Sequence, residues 1–404
     1  FSSQGQNWGL PTYNWKQMAK DGYRWWRNRF AKMYDYFELY RIDHILGFFR
    51  IWEIPEDSID GTLGHFSPAL PLTSEELTER GLTLKEHYKT PTLTKAEINR
   101  LFNKDRAQIF EEFFDPIEGR NNLYRLKSQF LGQRQIREHL QQTKREEIEP
   151  QLFQVAQERL FVGEEREGEM LFHPRISAQE TQTYKRLPAK EKEAFDRIYE
   201  DFFYHRHNQF WAESAKEKLP PLIGATPMLT CAEDLGMIPD CVAETLDQLK
   251  IITLELERMP KESYRLFGDP SQYPYLSVCT TSTHDMSPIR LWWRELTQEQ
   301  QQQYYHQVMN RPTESEAPQE QTIEISRDIV QRHLDSSSIL AILPLQDLFA
   351  TDSLMREGPI EQQRINIPSD PNHYWRYRMH LTIEALIAHK AFAQRLRKMI
   401  RNKR

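Results

Sequence analysis

The sequence lacks the features typical of membrane proteins, disulfide-stabilised proteins and nucleic-acid-binding proteins. Its apolar runs are far shorter than the roughly 18 residues that a membrane-spanning helix needs. The cysteines Cys231, Cys241 and Cys279 show no metal-type pairing, and their odd number argues against a disulfide framework. Lys and Arg form no long stripe and the net charge is −6, so nucleic acids and membranes are not expected partners. These absences favour a cytoplasmic protein in a reducing setting.

The chain has enough length and apolar content for a large folded unit. Its 404 residues suit one large α/β barrel or two ordinary domains, and 39% of them are hydrophobic. Aromatic residues are plentiful, and such side chains fill cores and also stack on sugar rings. The sequence starts without Met and opens directly on a motif-dense loop, from Phe1 to Trp15. We therefore expect it to be a C-terminal piece of a longer protein.

Composition divides the chain into three regions, which we take as 1–62, 63–218 and 219–404. In the first region, the apolar run Leu39–Ile42 ends on Asp43-His44, which is typical of a strand that leads into a functional loop. The second region is rich in Glu, Gln, Lys and Arg, with apolar residues at helical spacing. Thr94 and Glu97 have the spacing of a capping box. We interpret this second region as a helical insertion.

The third region returns to short apolar runs that end in polar residues, with helical segments between them. The runs are 227–232, 251–254, 276–280 and 339–343. Strands that alternate with helices predict an α/β fold with a parallel sheet.

Three carboxylates lie just beyond the C-terminal ends of three predicted strands: Asp43, Glu233 and Asp285. In a (β/α)₈ barrel all strand C-termini open onto one face, which holds the active site, so we expect these side chains to converge. Glycosyl transfer with retention needs a nucleophilic carboxylate and a protonated carboxyl roughly 5 Å apart. Proximity of two such groups drives their pKa values apart and so assigns their roles.

The sequences of the motifs around these carboxylates resemble those of the amylomaltase and disproportionating-enzyme family of 4-α-glucanotransferases, glycoside hydrolase family 77. The ordered motifs are Gln6-Asn7-Trp8-Gly9-Leu10-Pro11-Thr12-Tyr13-Asn14-Trp15, Arg41-Ile42-Asp43-His44-Ile45-Leu46-Gly47-Phe48, Ala232-Glu233-Asp234-Leu235-Gly236, Thr283-His284-Asp285 followed by Trp292-Trp293, Pro344-Leu345-Gln346-Asp347, Arg364-Ile365-Asn366, and Tyr374-Trp375-Arg376-Tyr377-Arg378. Each motif alone is weak, but their ordered combination is specific. The resemblance covers the first and third regions.

The resemblance implies catalytic roles for the three carboxylates. Asp43 would be the nucleophile, Glu233 the general acid and then base, and Asp285 the stabiliser of the transition state through sugar hydroxyls. Arg41 lies two residues before the nucleophile, on the same face of its strand, and would orient Asp43 and favour its ionised form.

The resemblance also implies sugar contacts and the absence of any cofactor. His44, His284 and Asn366 would hydrogen-bond sugar hydroxyls, and the loop carrying Asn7, Trp8 and Tyr13 would border the donor site. No metal and no organic cofactor is expected. The implied partners are maltose, maltooligosaccharides and glycogen-like or starch-like glucans.

The long second region is similar to the layout of one subgroup, the plant-type cytosolic disproportionating enzyme 2 and its bacterial relatives. His173-Pro174-Arg175-Ile176 and Arg258-Met259-Pro260 also resemble that subgroup. Its members use maltose as donor, pass a glucosyl unit to a branched polysaccharide and carry starch-binding modules before the barrel. The expected fold is thus a (β/α)₈ TIM barrel whose N-terminal strands are missing, with a large helical insertion.

Two other functions remain open on the sequence. An α-amylase-like hydrolase uses the same three-carboxylate logic, although the Trp8 loop and Ala232-Glu233-Asp234-Leu235-Gly236 match transferases better. A glycan-binding fragment without turnover is the second alternative. Product analysis separates the hydrolase from the transferase, because reducing ends accumulate only in hydrolysis.

Overall fold

A computed structural model describes residues 5, 7–102, 104–120, 122–262, 264–368, 370 and 373–401, so Gln6 of the first motif lies outside the described residues. The chain divides into two compact units. We call Arg24–Ile45, Pro220–Ile238 and Val242–Arg404 the parallel-sheet unit. We call Phe1–Tyr23, Leu46–Leu219 and Pro239–Cys241 the antiparallel unit.

Short strands occur in both units. In chain order they are β1 Leu39–Ile42, β2 Ile51–Glu53, β3 His65–Ser67, β4 Thr92–Thr94, β5 Phe114–Pro116, β6 Leu123–Leu126, β7 Phe161–Arg166, β8 Glu169–Pro174, β9 Leu229–Ala232, β10 Thr253–Leu256, β11 Ser277–Thr280 and β12 Leu340–Ala341.

Helices surround and connect these strands. They are α1 Trp15–Ala19, α2 Arg24–Tyr34, α3 Leu46–Phe49, α4 Ser74–Glu79, α5 Glu86–Lys89, α6 Lys95–Leu101, α7 Arg106–Phe113, α8 Gln133–Thr143, α9 Glu149–Ala156, α10 Gln182–Lys185, α11 Ala189–Glu200, α12 Asn208–Ile223, α13 Cys241–Gln248, α14 Ile289–Glu295, α15 Gln298–Gln303, α16 Ile323–Leu334, α17 Leu345–Phe349, α18 Ile383–Ala388 and α19 Lys390–Arg401. Across the part of the chain that the structure describes, every helix is too short or too polar to traverse a lipid bilayer.

The parallel-sheet unit contains an array of parallel strands whose order follows the chain. Strand β1 pairs with β9, and β10, β11 and β12 pair in succession, all in parallel. Ile252, just before β10, joins the two groups: its N–H donates to the Thr230 carbonyl at 2.9 Å, and its carbonyl accepts from the Ala232 N–H at 2.8 Å. The C-terminal ends of the five described parallel strands therefore lie along one edge.

Burial explains why these strands form here. All four residues of β11 are buried, as expected for a parallel strand that is covered on both faces. Val278 of β11 packs with Cys231 and Ile252 in one apolar cluster of this unit, and a second cluster around α14 and α16 includes Trp293 and Tyr304, both fully buried. Burying one such aromatic side chain stabilises a fold by about 2–3 kcal/mol.

The α/β class predicted from the sequence is confirmed. The predicted runs correspond to β1, β9, β10, β11 and β12, with ends displaced by about two residues at β10. The described strands form an open array, so closure into a (β/α)₈ barrel stays a prediction.

The antiparallel unit contains small antiparallel sheets and many helices. Strands β4, β6 and β5 form one sheet, β7 and β8 form a hairpin, and β2 pairs with β3. Helices α8 and α9 pack with the three-stranded sheet around a core that includes Phe113, Ile136 and Leu140. The predicted capping box is confirmed: Thr94 Oγ1 accepts from the Glu97 N–H, and the Glu97 carboxylate accepts from the Thr94 N–H.

The prediction of a purely helical insertion over 63–218 was incomplete, because this region also contains β3 to β8. The hairpin turn uses Glu167 at φ 55° and Gly168 at φ 84°, which is the backbone of a two-residue hairpin loop. Strand β7 ends with the charged residues Glu164, Glu165 and Arg166. Charged side chains fit there because the outer part of this two-stranded ribbon is exposed to solvent.

Candidate active site

Asp43 follows the last residue of β1, and its side chain is 74% exposed. The Arg41 guanidinium, two positions earlier on the same face of the strand, forms an ion pair with the Asp43 carboxylate. This carboxylate is therefore open to solvent and oriented by one cation.

Glu233 follows the last residue of β9, in the neighbouring strand, and is held by the backbone. Its Oε2 accepts the His44 N–H at 3.0 Å, and its Oε1 accepts the Leu235 N–H at 3.0 Å. The main chain also continues the β1–β9 ladder, because the Glu233 N–H donates to the Ile42 carbonyl at 2.9 Å and the Ile45 N–H donates to the Glu233 carbonyl at 3.0 Å. Asp43 and Glu233 thus lie on two adjacent, directly bonded strand ends.

The His44 backbone has an unusual conformation that makes this contact possible. Its φ of 50° lies in the left-handed region, which costs a residue with a side chain about 1–2 kcal/mol. The turn directs the His44 N–H at the Glu233 carboxylate. Strain of this kind is commonly found at functional sites.

Burial raises the pKa of the Glu233 carboxyl above its ordinary value. The hydrogen bonds from Leu235 and His44 oppose this effect, the negative charge of Asp43 adds to it, and the charge of Arg41 reduces it. A carboxyl with a raised pKa keeps its proton to higher pH, as a general acid requires.

Asp285 lies beyond β11 in a small hydrogen-bonded group. Its Oδ1 accepts from Asn366 Nδ2 at 2.5 Å, and its Oδ2 lies 3.2 Å from His284 Nε2. The backbone N–H of Asn366 donates to the His284 carbonyl at 3.0 Å, which ties the two segments together. The structure therefore brings the predicted residues Asp285, His284 and Asn366 into direct contact.

Trp375 is an aromatic neighbour of this group that was not singled out as a sugar contact from the sequence. Its ring centroid lies 5.1 Å from that of His284, and 61% of the residue is exposed. An exposed indole beside polar groups has the properties of a sugar-stacking platform. Its position in the Tyr374-Trp375-Arg376 motif was the available signal.

A buried ion-pair network supports the strand end that carries Glu233. Lys261 Nζ donates to Asp234 Oδ2 and to Glu255 Oε1, both at 2.7 Å, and Asp234 Oδ1 accepts the Leu254 N–H at 3.0 Å. Burial alone would lower the pKa of Lys261, but the two carboxylates raise it overall, so the ammonium stays charged. This network fixes the residue next to Glu233 against β10.

The predicted donor-site loop belongs to the antiparallel unit. Asn7 Nδ2 donates to the Ile59 carbonyl and Asn7 Oδ1 accepts the Gly9 N–H, each at 3.0 Å. Trp8 and Tyr13 are 61% and 46% exposed, and the Tyr13 ring lies 5.2 Å from that of Trp15. The loop is thus anchored by Asn7 and presents two aromatic rings to solvent.

A group of potential metal ligands lies in the antiparallel unit, apart from the strand-end carboxylates. The ligand atoms of His65, Glu164 and His173 lie within 4.8 Å of one another. Glu164 Oε2 lies 2.8 Å from His173 Nε2, Glu164 also pairs with Arg166 at 2.8 Å, and the two His rings stack at 4.3 Å. Hydrogen bonds and ring stacking between these side chains therefore explain why they lie together.

The three carboxylates thus follow the ends of strands in one parallel array, with two of them on directly bonded strands. Convergence of all three within the span of one glycosidic bond stays a prediction. The chemistry that such an arrangement supports is attack by an exposed carboxylate combined with proton donation by a second, partly buried carboxyl.

Comparison with known proteins gives a consistent result. A family model described as 4-alpha-glucanotransferase, glycoside hydrolase family 77, matches residues 1–382. The 4-alpha-glucanotransferase DPE2 of Oryza sativa subsp. japonica is 36% identical over 408 residues, which cover 99% of this chain and 42% of that protein. A 4-alpha-glucanotransferase of Chlamydia pneumoniae is 23% identical over 403 residues, which cover 99% of this chain and 49% of that protein.

Among solved structures, the amylomaltase from Streptococcus agalactiae in complex with acarbose aligns with a TM-score of 0.49 and 16% identity, over 100% of this chain and 50% of the other. The chain spans less than half of the length of the curated relatives described above. The sequence relationship, and not this structural likeness, establishes the family.

Proposed function

The chain belongs to glycoside hydrolase family 77, the 4-alpha-glucanotransferases, and from this membership we propose that the protein transfers α-1,4-linked glucosyl or glucanosyl units between sugars with retention of configuration. The proposed donors are maltose, maltooligosaccharides and α-1,4-glucans, and the proposed acceptors are sugars or glycans. The observation that carries the proposal is the contrast between an exposed carboxylate, Asp43, and a partly buried carboxyl with a raised pKa, Glu233, on adjacent strand ends.

In the proposed first step, Asp43 attacks the anomeric carbon of the donor. The glycosidic C–O bond breaks, and Glu233 donates its proton to the leaving oxygen. A covalent glycosyl ester on Asp43 results, and the leaving sugar departs with its new hydroxyl.

In the proposed second step, Glu233 acts as a base. It takes the proton from an acceptor hydroxyl, whose oxygen attacks the anomeric carbon and displaces Asp43. Both carboxyl groups then return to their starting states. Two inversions at one carbon give net retention.

We assign the stabilisation of the transition state to Asp285, with support from its contacts. Asn366 and His284 hold the Asp285 carboxylate on both oxygens, so its position is fixed before substrate binds. A preorganised carboxylate can accept hydrogen bonds from sugar hydroxyls that strengthen as positive charge develops at the anomeric carbon. We also propose that His44, Trp8, Tyr13 and Asn7 contact the sugar.

The proposal includes a (β/α)₈ barrel to which 1–62 and 219–404 contribute, with 63–218 as an insertion that serves large glucans. It also includes a cytoplasmic location, which the free cysteines Cys231, Cys241 and Cys279 support.

Product analysis of the full-length protein tests the function. Incubation with maltose and a branched glucan should release glucose while the total number of reducing ends stays constant. A rise in reducing ends would instead identify an α-amylase-like hydrolase. Glucan binding without any turnover would identify a binding protein.

Glu233→Gln tests the assigned acid. Its rate on maltose should fall by about 10³-fold, because no proton reaches the leaving oxygen. A glucosyl fluoride donor, whose leaving group needs no proton, should still form the covalent intermediate on Asp43. Equal losses on both donors would contradict the role of Glu233.

A further inference from the structure

The antiparallel unit contains a cavity of about 330 Å³ that the transfer reaction does not use. It lies where the start of α5 and the residues after α10 meet the β4–β6 edge of the three-stranded sheet. Its volume falls at the lower end of the range for small-molecule sites, which matches one sugar-sized ligand. Three cationic side chains line it: Lys85, Arg120 and Arg186.

Two of these cations are balanced by carboxylates. Lys85 Nζ pairs with Glu191 Oε1 at 2.6 Å and also donates to the Tyr88 hydroxyl at 3.0 Å. The Arg186 guanidinium forms an ion pair with Glu97. Its Nη2 donates to the Thr92 carbonyl at 3.0 Å. Because an ammonium has three N–H groups, these two contacts leave one N–H of Lys85 over.

Arg120 differs from the other two cations. Among the residues that the structure describes, Arg120 contacts a neutral ring, because its Nη1 lies 3.2 Å from His87 Nδ1. The cavity wall therefore carries one positive charge in excess of its paired carboxylates, on a planar group suited to bind phosphate with two N–H bonds.

His87 responds to this positive environment. Burial, together with the charges of Arg120, Lys85 and Arg186, lowers the pKa of His87 to about 4. At neutral pH the ring is therefore uncharged. It accepts from Arg120, which orients the guanidinium without cancelling its charge.

The remaining wall suits a sugar ring. Thr94, Asn122 and Thr183 supply hydroxyl and amide groups, while Leu123, Leu187 and Pro188 supply apolar surface. A site with convergent polar groups and an apolar floor has the composition of small-molecule pockets.

We propose that this cavity binds the phosphate ester of a single sugar unit, with Arg120 on the phosphate and the threonine and asparagine side chains on the sugar hydroxyls. The phosphate ester has two sources, a free hexose phosphate or a phosphorylated unit within a glucan chain. The cavity uses none of the strand-end carboxylates, so its failure would leave the proposed transfer reaction untouched.

Calorimetric titration of the full-length protein with glucose 6-phosphate, glucose and inorganic phosphate tests the proposal. Glucose 6-phosphate should bind at least about 10-fold more tightly than either fragment, because a charge-assisted contact is added to the sugar contacts. Arg120→Gln should weaken glucose 6-phosphate binding by about 10-fold. Arg125→Gln, an exposed change on β6 outside the cavity lining, should leave binding unchanged.

Three outcomes would overturn the proposal: no binding of glucose 6-phosphate, equal binding of inorganic phosphate, or binding that Arg120→Gln does not change. Thermal unfolding of the Arg120→Gln protein checks that it remains folded. A maltooligosaccharide carrying one phosphate then separates the two sources. Tighter binding than glucose 6-phosphate identifies a glucan chain as the ligand, and weaker binding identifies the free sugar phosphate.

Discussion

Carboxylates are used differently in the two units. In the antiparallel unit, Glu112 pairs with Arg145 and His139, each at 2.5 Å. Although burial acts to raise the pKa of Glu112, these two partners lower it overall. In the parallel-sheet unit, Glu233 receives two backbone N–H bonds and has a raised pKa.

The partners of a carboxyl therefore decide the direction of its pKa shift in this chain. Partners that lower the pKa of a carboxyl favour its charged form. The stabilisation that results is present above the unfolded-state pKa of the carboxyl and is lost as pH falls through its folded-state pKa. A carboxyl held by neutral donors in a partly buried position keeps a proton that it can give away. The following substitutions test this difference between the two units, in order of decreasing expected effect.

Asp43→Asn should have the largest effect. An amide cannot attack the anomeric carbon, so transfer by the full-length protein should fall by at least about 10³-fold while sugar binding persists. The measurement is glucose release from maltose. The matched control is Asp35→Asn, which removes an exposed partner of Lys32 and should leave the rate unchanged. Near-native turnover of Asp43→Asn would mean that another carboxylate is the nucleophile.

Lys261→Met should reduce the free energy of unfolding by about 3–5 kcal/mol, because Asp234 and Glu255 would lose their shared buried cation. Denaturant unfolding measures this change. Lys250→Met removes an exposed pair with Asp247 and should cost less than about 0.5 kcal/mol. Similar values for the two variants would contradict a supporting role for the buried network.

Arg41→Gln should reduce kcat/KM by about 10²-fold, because the cation that orients Asp43 is lost. Arg41 lowers the pKa of Glu233, so its removal should raise that pKa. Since the first step needs protonated Glu233, the alkaline limb of the pH profile should move to higher pH. Arg41→Lys should restore much of the rate. A downward shift of the limb would exclude this electrostatic link.

Thr94→Ala and Thr297→Ala compare capping boxes in the two units and should have the smallest effects. Thr94 caps α6, where its partner Glu97 is buried and paired with Arg186, so its loss should cost about 1–2 kcal/mol. Thr297 is exposed at the start of α15, where its partner Gln300 is half-buried, and loss of Thr297 should cost about 0.5 kcal/mol. Chemical denaturation of both variants measures the difference, and a larger loss for Thr297→Ala would reverse the comparison.

The parallel strands could be predicted because strands buried on both faces read as continuous apolar runs. Leu229–Ala232 was recognisable on that ground, because three of its four residues are buried, whereas Leu39–Ile42 contains the exposed Arg41. Each run is followed by a polar residue where the strand stops. The hairpin of β7 and β8 was missed for the opposite reason. Its turn places Glu167 at positive φ, where Asn or Asp is the usual signal, and its outer residues are charged.

Within the site, the identities of Asp43, Glu233 and Asp285 came from motifs, and so did the contact of Arg41 with Asp43, whereas the other supporting contacts could not be predicted. The contact of His44 with Glu233 depends on a backbone angle, and a residue name does not reveal which N–H faces a carboxylate. The contact of Lys261 with Asp234 joins residues far apart in the chain. Such contacts follow from tertiary packing and have no local sequence signal.

In the proposed reaction, the hydrogen bond from the His44 N–H to Glu233 would change in strength from one step to the next. A hydrogen bond to an ionised oxygen is stronger than one to a neutral carboxyl. When Glu233 gives up its proton, its hydrogen bond from the His44 N–H therefore becomes stronger, in the step in which Asp43 carries the sugar. When Glu233 regains a proton, this hydrogen bond becomes weaker as Asp43 is released from the sugar. One amide group would thus couple the protonation state of Glu233 to the segment that carries Asp43.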